Sequence, residues 1–213
     1  MTDDHYRVQC DCGLVTAVVG DLRPATCNHV KCYCKDCQAF AHFLGRNTDV
    51  LDEQGGTDIA QISAGRLTFR AGTDKVAGMR MSESGLMRWY ASCCRTPIAN
   101  TAASAKLPFI GLIAPFMTNG EDEGRVDAAL GPFRGYGFVH GAKGDRAVPG
   151  RKHEGFLAIA LQLARIMIPA LLTGAARKHP FFDADSGAPI SEPTVLSEAE
   201  RVALREKVDA DRL

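Results

Sequence analysis

The chain has 213 residues, 46% hydrophobic and 23% charged, with 25 basic and 25 acidic side chains and a pI of about 7.0. These are the proportions of a globular protein with one domain and an extension, and the balanced charge argues against a dedicated nucleic-acid binder. Residues 1–6 carry neither a basic n-region nor an apolar core, so no signal peptide is expected and the reading is a cytoplasmic protein. Its eight cysteines are then metal ligands or free thiols rather than disulfides.

Two short runs rich in Val, Thr and Tyr, 6–10 and 14–20, predict two strands joined by a tight turn at Asp11-Cys12-Gly13. Cys10 and Cys12 flank that corner, and residues two apart on an extended chain point to one side. The corner reads equally as half of a metal site or as two half-buried thiols. Cys27 is expected as a buried small hydrophobe.

The densest chemistry follows at Cys32-Tyr33-Cys34-Lys35-Asp36-Cys37. Tetrahedral zinc with Zn–S bonds of about 2.3 Å needs sulfurs about 3.8 Å apart, which a C-x-x-C turn supplies. The preceding C-x adds a third ligand. A fourth position remains for a distant residue, or for water and substrate, which separates a closed structural site from an open catalytic one. His29 and His42 are near enough in sequence to be fourth ligands, although each reads first as a surface or core histidine. Residues 38–44 predict a helical turn ended by Gly45.

After a polar, glycine-rich loop at 50–57, the runs 58–63, 66–70, 75–82 and 86–91 are punctuated by turn residues and predict an antiparallel meander. Met79 and Met81 read as core filler. Cys93 and Cys94 lie between the strand at 87–90 and a returning strand at 96–101, a second corner presenting thiols. Adjacent cysteines disfavour a mutual disulfide because its ring is strained. Together the two corners predict a split zinc site.

Cys10-x-Cys12-Gly13, then Cys32-x-Cys34-x-x-Cys37, then an aromatic strand ending in cysteine resembles the glutathione-dependent formaldehyde-activating enzyme family, which includes centromere-protein-V-like proteins. The resemblance covers about residues 6–138. It implies a mainly β fold of small antiparallel sheets held by zinc, a β-tent. It also implies two zinc ions per chain: a structural one on Cys10, Cys12 and Cys93, and an open one on Cys32, Cys34 and Cys37. The late motif departs from the family pattern, with Tyr90 where its first cysteine falls and Cys94 where its glycine falls. Either Cys94 supplies the missing ligand or another group does.

The activity implied is carbon–sulfur lyase chemistry, in which glutathione and formaldehyde form S-(hydroxymethyl)glutathione, or a related small thiol adduct reacts. The alternative is a zinc-stabilised binding module without catalysis. No general base is identified; His29, His42 and Asp36 qualify by proximity alone.

Further on, 107–114 reads as a buried strand or pocket-lining loop. The acidic stretch 119–124 lacks EF-hand spacing, and 131–138 reads as a lid or final edge strand. The expected division is a zinc-binding domain at 1–141, a Gly-, Pro- and charge-rich linker at 142–152, and a helical extension at 153–213. Residues 154–173 predict a helix with Gln162, Arg165, Pro169 and Thr173 on one side and a broad apolar face. Those polar interruptions make it too polar and short for a transmembrane segment. It is expected to pack on the sheet domain or form a homodimer, a membrane-surface helix being the lesser alternative. Ser197-Glu198-Ala199-Glu200 matches a capping box, starting a last helix that runs to about 209.

Overall fold

The computed structural model describes residues 6–119, 123–144, 156–174 and 178–211. In chain order its elements are β1 (Tyr6–Gln9), β2 (Thr16–Val19), β3 (Asn28–Cys32), α1 (Lys35–Leu44), α2 (Asn47–Val50), β4 (Thr57–Ser63), β5 (Leu67–Ala71) and β6 (Val76–Arg80). There follow β7 (Met87–Ala91), β8 (Thr96–Thr101), β9 (Phe109–Ile113), β10 (Met117–Thr118), α3 (Glu123–Leu130), β11 (Gly135–Gly137), α4 (Phe156–Leu172), β12 (Thr194–Val195) and α5 (Glu198–Ala210).

The strands form two sheets, a four-stranded one in the order β10-β1-β2-β5 and an eight-stranded one in the order β11-β3-β4-β9-β8-β7-β6-β12. The architecture is therefore mixed α/β rather than mainly β. α1 is a full helix at Lys35–Leu44 where the sequence suggested a helical turn, and the two expected C-terminal helices are present as α4 and α5. Of the meander predicted over 58–91, only the step from β6 to β7 pairs in succession, and β8 and β9 continue it antiparallel beyond the predicted span. The run at 66–70 leaves it: β5 pairs with β2 in the small sheet, while β4 pairs with β3 and β9. The short helical turn Ala64–Arg66 makes the crossing. A strand's hydrophobic pattern fixes which face it buries but not which neighbour it takes.

The principal core lies between the sheets. Val8, Ala17, Val19 and Leu67 of the small sheet meet Ile62, Trp89, Ala99, Ile110 and Leu112 of the large one. A second core fills the opposite face, where Phe40 and Leu44 of α1 and Leu204 and Val208 of α5 pack with Met79 and Met81. Strands covered on both faces carry near-continuous apolar runs; every residue of β8 is buried.

Trp89 is fully buried and its indole N–H donates to Thr101 Oγ1 at 3.0 Å. Phe181 stacks on it, with centroids 4.8 Å apart and rings 18° from parallel. Burying one such side chain is worth about 2–3 kcal/mol. The C-terminal part is thus anchored in the principal core, not merely attached by helices. Short parallel strands close both edges of the large sheet, β11 on β3 and β12 on β6, and so cover backbone groups that an open edge would expose. The 131–138 segment accordingly supplies an edge strand.

α5 starts at the predicted capping box: the Ser197 hydroxyl accepts from Glu200 N–H, and the Glu200 carboxylate accepts from Ser197 N–H. In α4 one residue of the expected polar side, Gln162, turns inward, while Arg165, Pro169 and Thr173 stay exposed. Gln162 is buried and its amide donates to the carbonyls of Pro24, Ala25 and Cys27. Ile166, Met167 and Ala170 are buried with it, while Leu157, Leu161, Ile168, Leu171 and Leu172 are exposed. The buried bond to the Cys27 carbonyl favours this orientation, since a buried acceptor left without a donor costs more than an exposed leucine. Among the described residues no helix is long and apolar enough to cross a membrane. Residues 145–152 of the expected linker and 120–122 of the acidic stretch lie outside the described residues.

Candidate metal centres

The β1–β2 turn is built around Cys10. Gly13 N–H donates to the Cys10 carbonyl at 2.8 Å, and Val15 N–H donates to Cys10 Sγ at 3.2 Å. Gly13 takes a φ of +77°, which glycine adopts without a Cβ penalty. The β7–β8 corner carries Cys93 and Cys94. It is drawn against the first corner by Asp11 N–H donating to Thr96 Oγ1 at 3.1 Å.

This contact joins the two sheets and brings four sulfurs together. Cys10 Sγ lies 3.5 Å from Cys12 and 3.9 Å from Cys93, Cys12 lies 3.2 Å from Cys93, and Cys93 lies 3.8 Å from Cys94. All four sulfurs lie within 4.8 Å of one another. These separations bracket the ~3.8 Å edge of a tetrahedron with metal–sulfur bonds of about 2.3 Å, so the donor set suits a divalent ion such as zinc. Burial pushes the Cys94 thiol up, but hydrogen bonds from Thr96 and from the Cys12 and Thr96 backbone outweigh it and bring it down to about 6. Tyr90 does not join the cluster; its ring packs edge-on against Phe43 at 5.9 Å.

The second cluster sits where β3 runs into α1. Cys32 ends the strand. Tyr33 is buried, its N–H donating to the Gly137 carbonyl at 2.9 Å. Cys34 caps α1, its sulfur accepting from Cys37 N–H at 3.3 Å, and Gly45 closes the helix with φ +67°. Cys37 therefore stands in the first turn, where the helix dipole favours a thiolate. The buried Gln38 amide donates to the carbonyls of Tyr33 and Gly141, at 2.9 and 3.0 Å, and ties the loop to the chain after β11.

Cys37 Sγ lies 3.8 Å from Cys32 Sγ, and the three sulfurs lie within 4.8 Å of one another. Among the described residues no histidine or carboxylate joins them. Three sulfurs this close cannot all ionise without a cation. Hydrogen bonds from Cys32 and Cys34 hold the Cys37 thiol well below its ordinary value against burial, with Arg88 helping. Cys32 is pushed up by its hydrogen bonds to Cys34 and Cys37.

Arg88 is the residue at this cluster that sequence reasoning missed. It projects from β7, is 2% exposed, and donates from Nη1 to Cys37 Sγ at 3.7 Å and to Asn100 Oδ1 at 3.1 Å. Its guanidinium lies 5.5 Å from the centre of the Phe40 ring. The available signal was a lone cation in the otherwise apolar or aromatic strand Met87–Ala91.

The residues near in sequence do other work. His29 is held on both nitrogens, Nδ1 to the Gly131 carbonyl and Nε2 to Asp58 Oδ1, each at 2.7 Å. His42 Nε2 lies 2.8 Å from the Asp211 carboxylate. Asp36 is exposed on α1. Cys27 is fully buried, and burial raises its thiol to about 11, as suits an inert core residue.

No curated protein and no solved structure matches the chain. The model of the family of unknown function DUF6151 matches residues 4–193, a span that takes in both cysteine clusters, Arg88 and the Phe181–Phe182 anchor, and the chain belongs to that family.

Proposed function

We propose that the chain is a two-zinc protein of β-tent type whose three-cysteine centre works on a small thiol adduct as a carbon–sulfur lyase. The four-cysteine cluster would hold a structural zinc. Glutathione and formaldehyde are the first pair to test. The observation that carries this reading is the difference between the clusters: four sulfurs join the sheets at one, while Cys32, Cys34 and Cys37 stand together at the other with no fourth protein ligand among the described residues. Zinc bound there would favour a ligand thiol as thiolate and polarise a carbonyl oxygen. In the forward reaction a carbon–sulfur bond forms between the thiol sulfur and the aldehyde carbon, and the thiol proton ends on the carbonyl oxygen. The chain's own part is to hold three thiolates at fixed spacing through the Cys34 cap, the Tyr33 backbone bond and the Gln38 tie.

A second reading, a zinc-stabilised binding module, is favoured by one observation: both nearby histidines are already committed to structural carboxylates, so neither is free to move the proton. Exchange NMR of glutathione with formaldehyde, with and without zinc-loaded protein, separates the two. Acceleration by the wild-type chain that is lost in Cys34→Ser supports the lyase. An exchange rate unchanged by the loaded wild-type chain overturns it and leaves the module. Metal analysis of the same Cys34→Ser sample must show one zinc fewer per chain; an unaltered zinc count refutes the site assignment.

A further inference from the structure

A guanidinium that is 2% exposed is expensive unless an anion faces it, because desolvating an unpaired charge costs several kcal/mol. The usual partner is a carboxylate, and among the described residues none bonds to Arg88; exposed Asp36 acts on it only at a distance and less than the Cys37 and Cys34 sulfurs. Its polar contacts are a neutral amide oxygen, Asn100 Oδ1 at 3.1 Å, and the Cys37 sulfur at 3.7 Å, with the Phe40 ring on one side. The anion this cation is built for is therefore sulfur.

The charge count gives the reason. A divalent ion held by three thiolates has net charge −1, and Cys37, the innermost ligand, is buried. The four-cysteine cluster carries −2 when loaded, but Cys12 and Cys93 are exposed, so water screens that charge. The inner cluster has no such access on its Cys37 side. β7 solves this by its two-residue alternation: Trp89 points into the core between the sheets, and Arg88 points to the opposite face, onto Cys37.

We infer that Arg88 is the fixed counter-charge of the three-cysteine centre, a positioning residue that makes the metal-loaded triad electrically neutral and so lets it hold a divalent ion without a fourth protein ligand. This rests on the metal-binding part of the reading above and not on its chemistry. Asn100 serves by aiming the guanidinium while adding no charge of its own.

The test is a competition titration of zinc into the full chain against a chelator, with cobalt as a second, spectroscopic probe. Wild type, Arg88→Met, Arg88→Lys and Asn100→Asp are compared. The four-cysteine site serves as an internal control. Opposite charge at this range is worth about tenfold or more in the stability of a charged form. Arg88→Met should lose the second metal by at least about that factor and keep the first unchanged, and Arg88→Lys should recover most of the loss. Asn100→Asp, which gives Arg88 a competing carboxylate at nearly constant volume, should weaken the second metal while leaving Arg88 in place. It also keeps the inference falsifiable if Arg88→Met does not fold.

Thermal melts supply a readout that a purely structural role would move differently: the stability lost in Arg88→Met should be larger in the metal-loaded than in the metal-free protein, whereas a purely structural role would give equal losses. If wild type binds two metals and both Arg88→Met and Asn100→Asp bind the second as tightly, the inference is overturned. If wild type binds no second metal, the metal reading itself fails, and the inference with it.

Discussion

His179 makes the attachment of the C-terminal segment sensitive to acid. It is 3% exposed, its ring meets Phe182 edge-on at 4.8 Å, and its Nδ1 accepts from Phe181 N–H at 3.4 Å. That acceptor exists only while Nδ1 is unprotonated. Burial pushes the imidazole down to about 4, against a smaller opposing hydrogen bond at Phe109. The unfolded value is about 6.5, so between the two values the unfolded chain binds the extra proton and the folded chain does not. His179 therefore costs nothing above about pH 6.5. Stability falls as the pH drops below that value and levels off below about 4. A depression of about 2.5 units at 1.36 kcal/mol each is a loss of about 3 kcal/mol. His179→Asn keeps an acceptor near Nδ1 but cannot be protonated in this range. Urea unfolding of both proteins from pH 7 to 4 should give curves that diverge by about 3 kcal/mol at the acid end. Any metal bound at the cysteine clusters would be lost in acid from both proteins and cancels from the difference. Parallel curves would refute the reasoning.

Two further outcomes follow from the site geometry. A Cβ on Gly141 would collide with the Tyr33 carbonyl oxygen, which is backbone and cannot swing away. Gly141→Ala should therefore displace the loop of the three-cysteine cluster and weaken its metal about tenfold or more, read by chelator competition, while the four-cysteine metal stays in place. Cys12→Ser should do the reverse. It removes an exposed ligand from the cluster joining the sheets, so one metal is lost, the melting temperature falls, and Cys32, Cys34 and Cys37 keep theirs. Equal loss from both clusters in either variant, read by metal analysis, would show that the sites are not independent.

What was legible in the chain is what a few residues decide among themselves. The Cys32/Cys34/Cys37 spacing, the Gly45 stop, the hairpin at Cys10–Gly13 and the capping box at Ser197 all depend on local φ/ψ preferences and on side-chain direction within one turn. The structure shows each of them. Pairing the corners at Cys10/Cys12 and Cys93/Cys94 was suggested by their matching chemistry. The contact itself spans 83 residues and exists because the two sheets pack.

Other features could not be read along the chain at all. β5 joins β2 because its buried face completes the core between the sheets, and alternation alone does not name a neighbour. α4 turns Gln162 inward onto the loop carbonyls, that of buried Cys27 nearest at 3.0 Å, a demand set by residues more than a hundred positions away. Arg88 stands out along the chain only as a lone cation in an apolar strand; that it meets Cys37, 51 residues away, is set by packing. By itself the sequence determined which thiols stand in pairs and triples, because those geometries are local. The tertiary structure decided which of them meet, which cluster is deep enough to need a counter-charge, and which residue supplies it, because desolvation is a property of the packed interior and not of the chain.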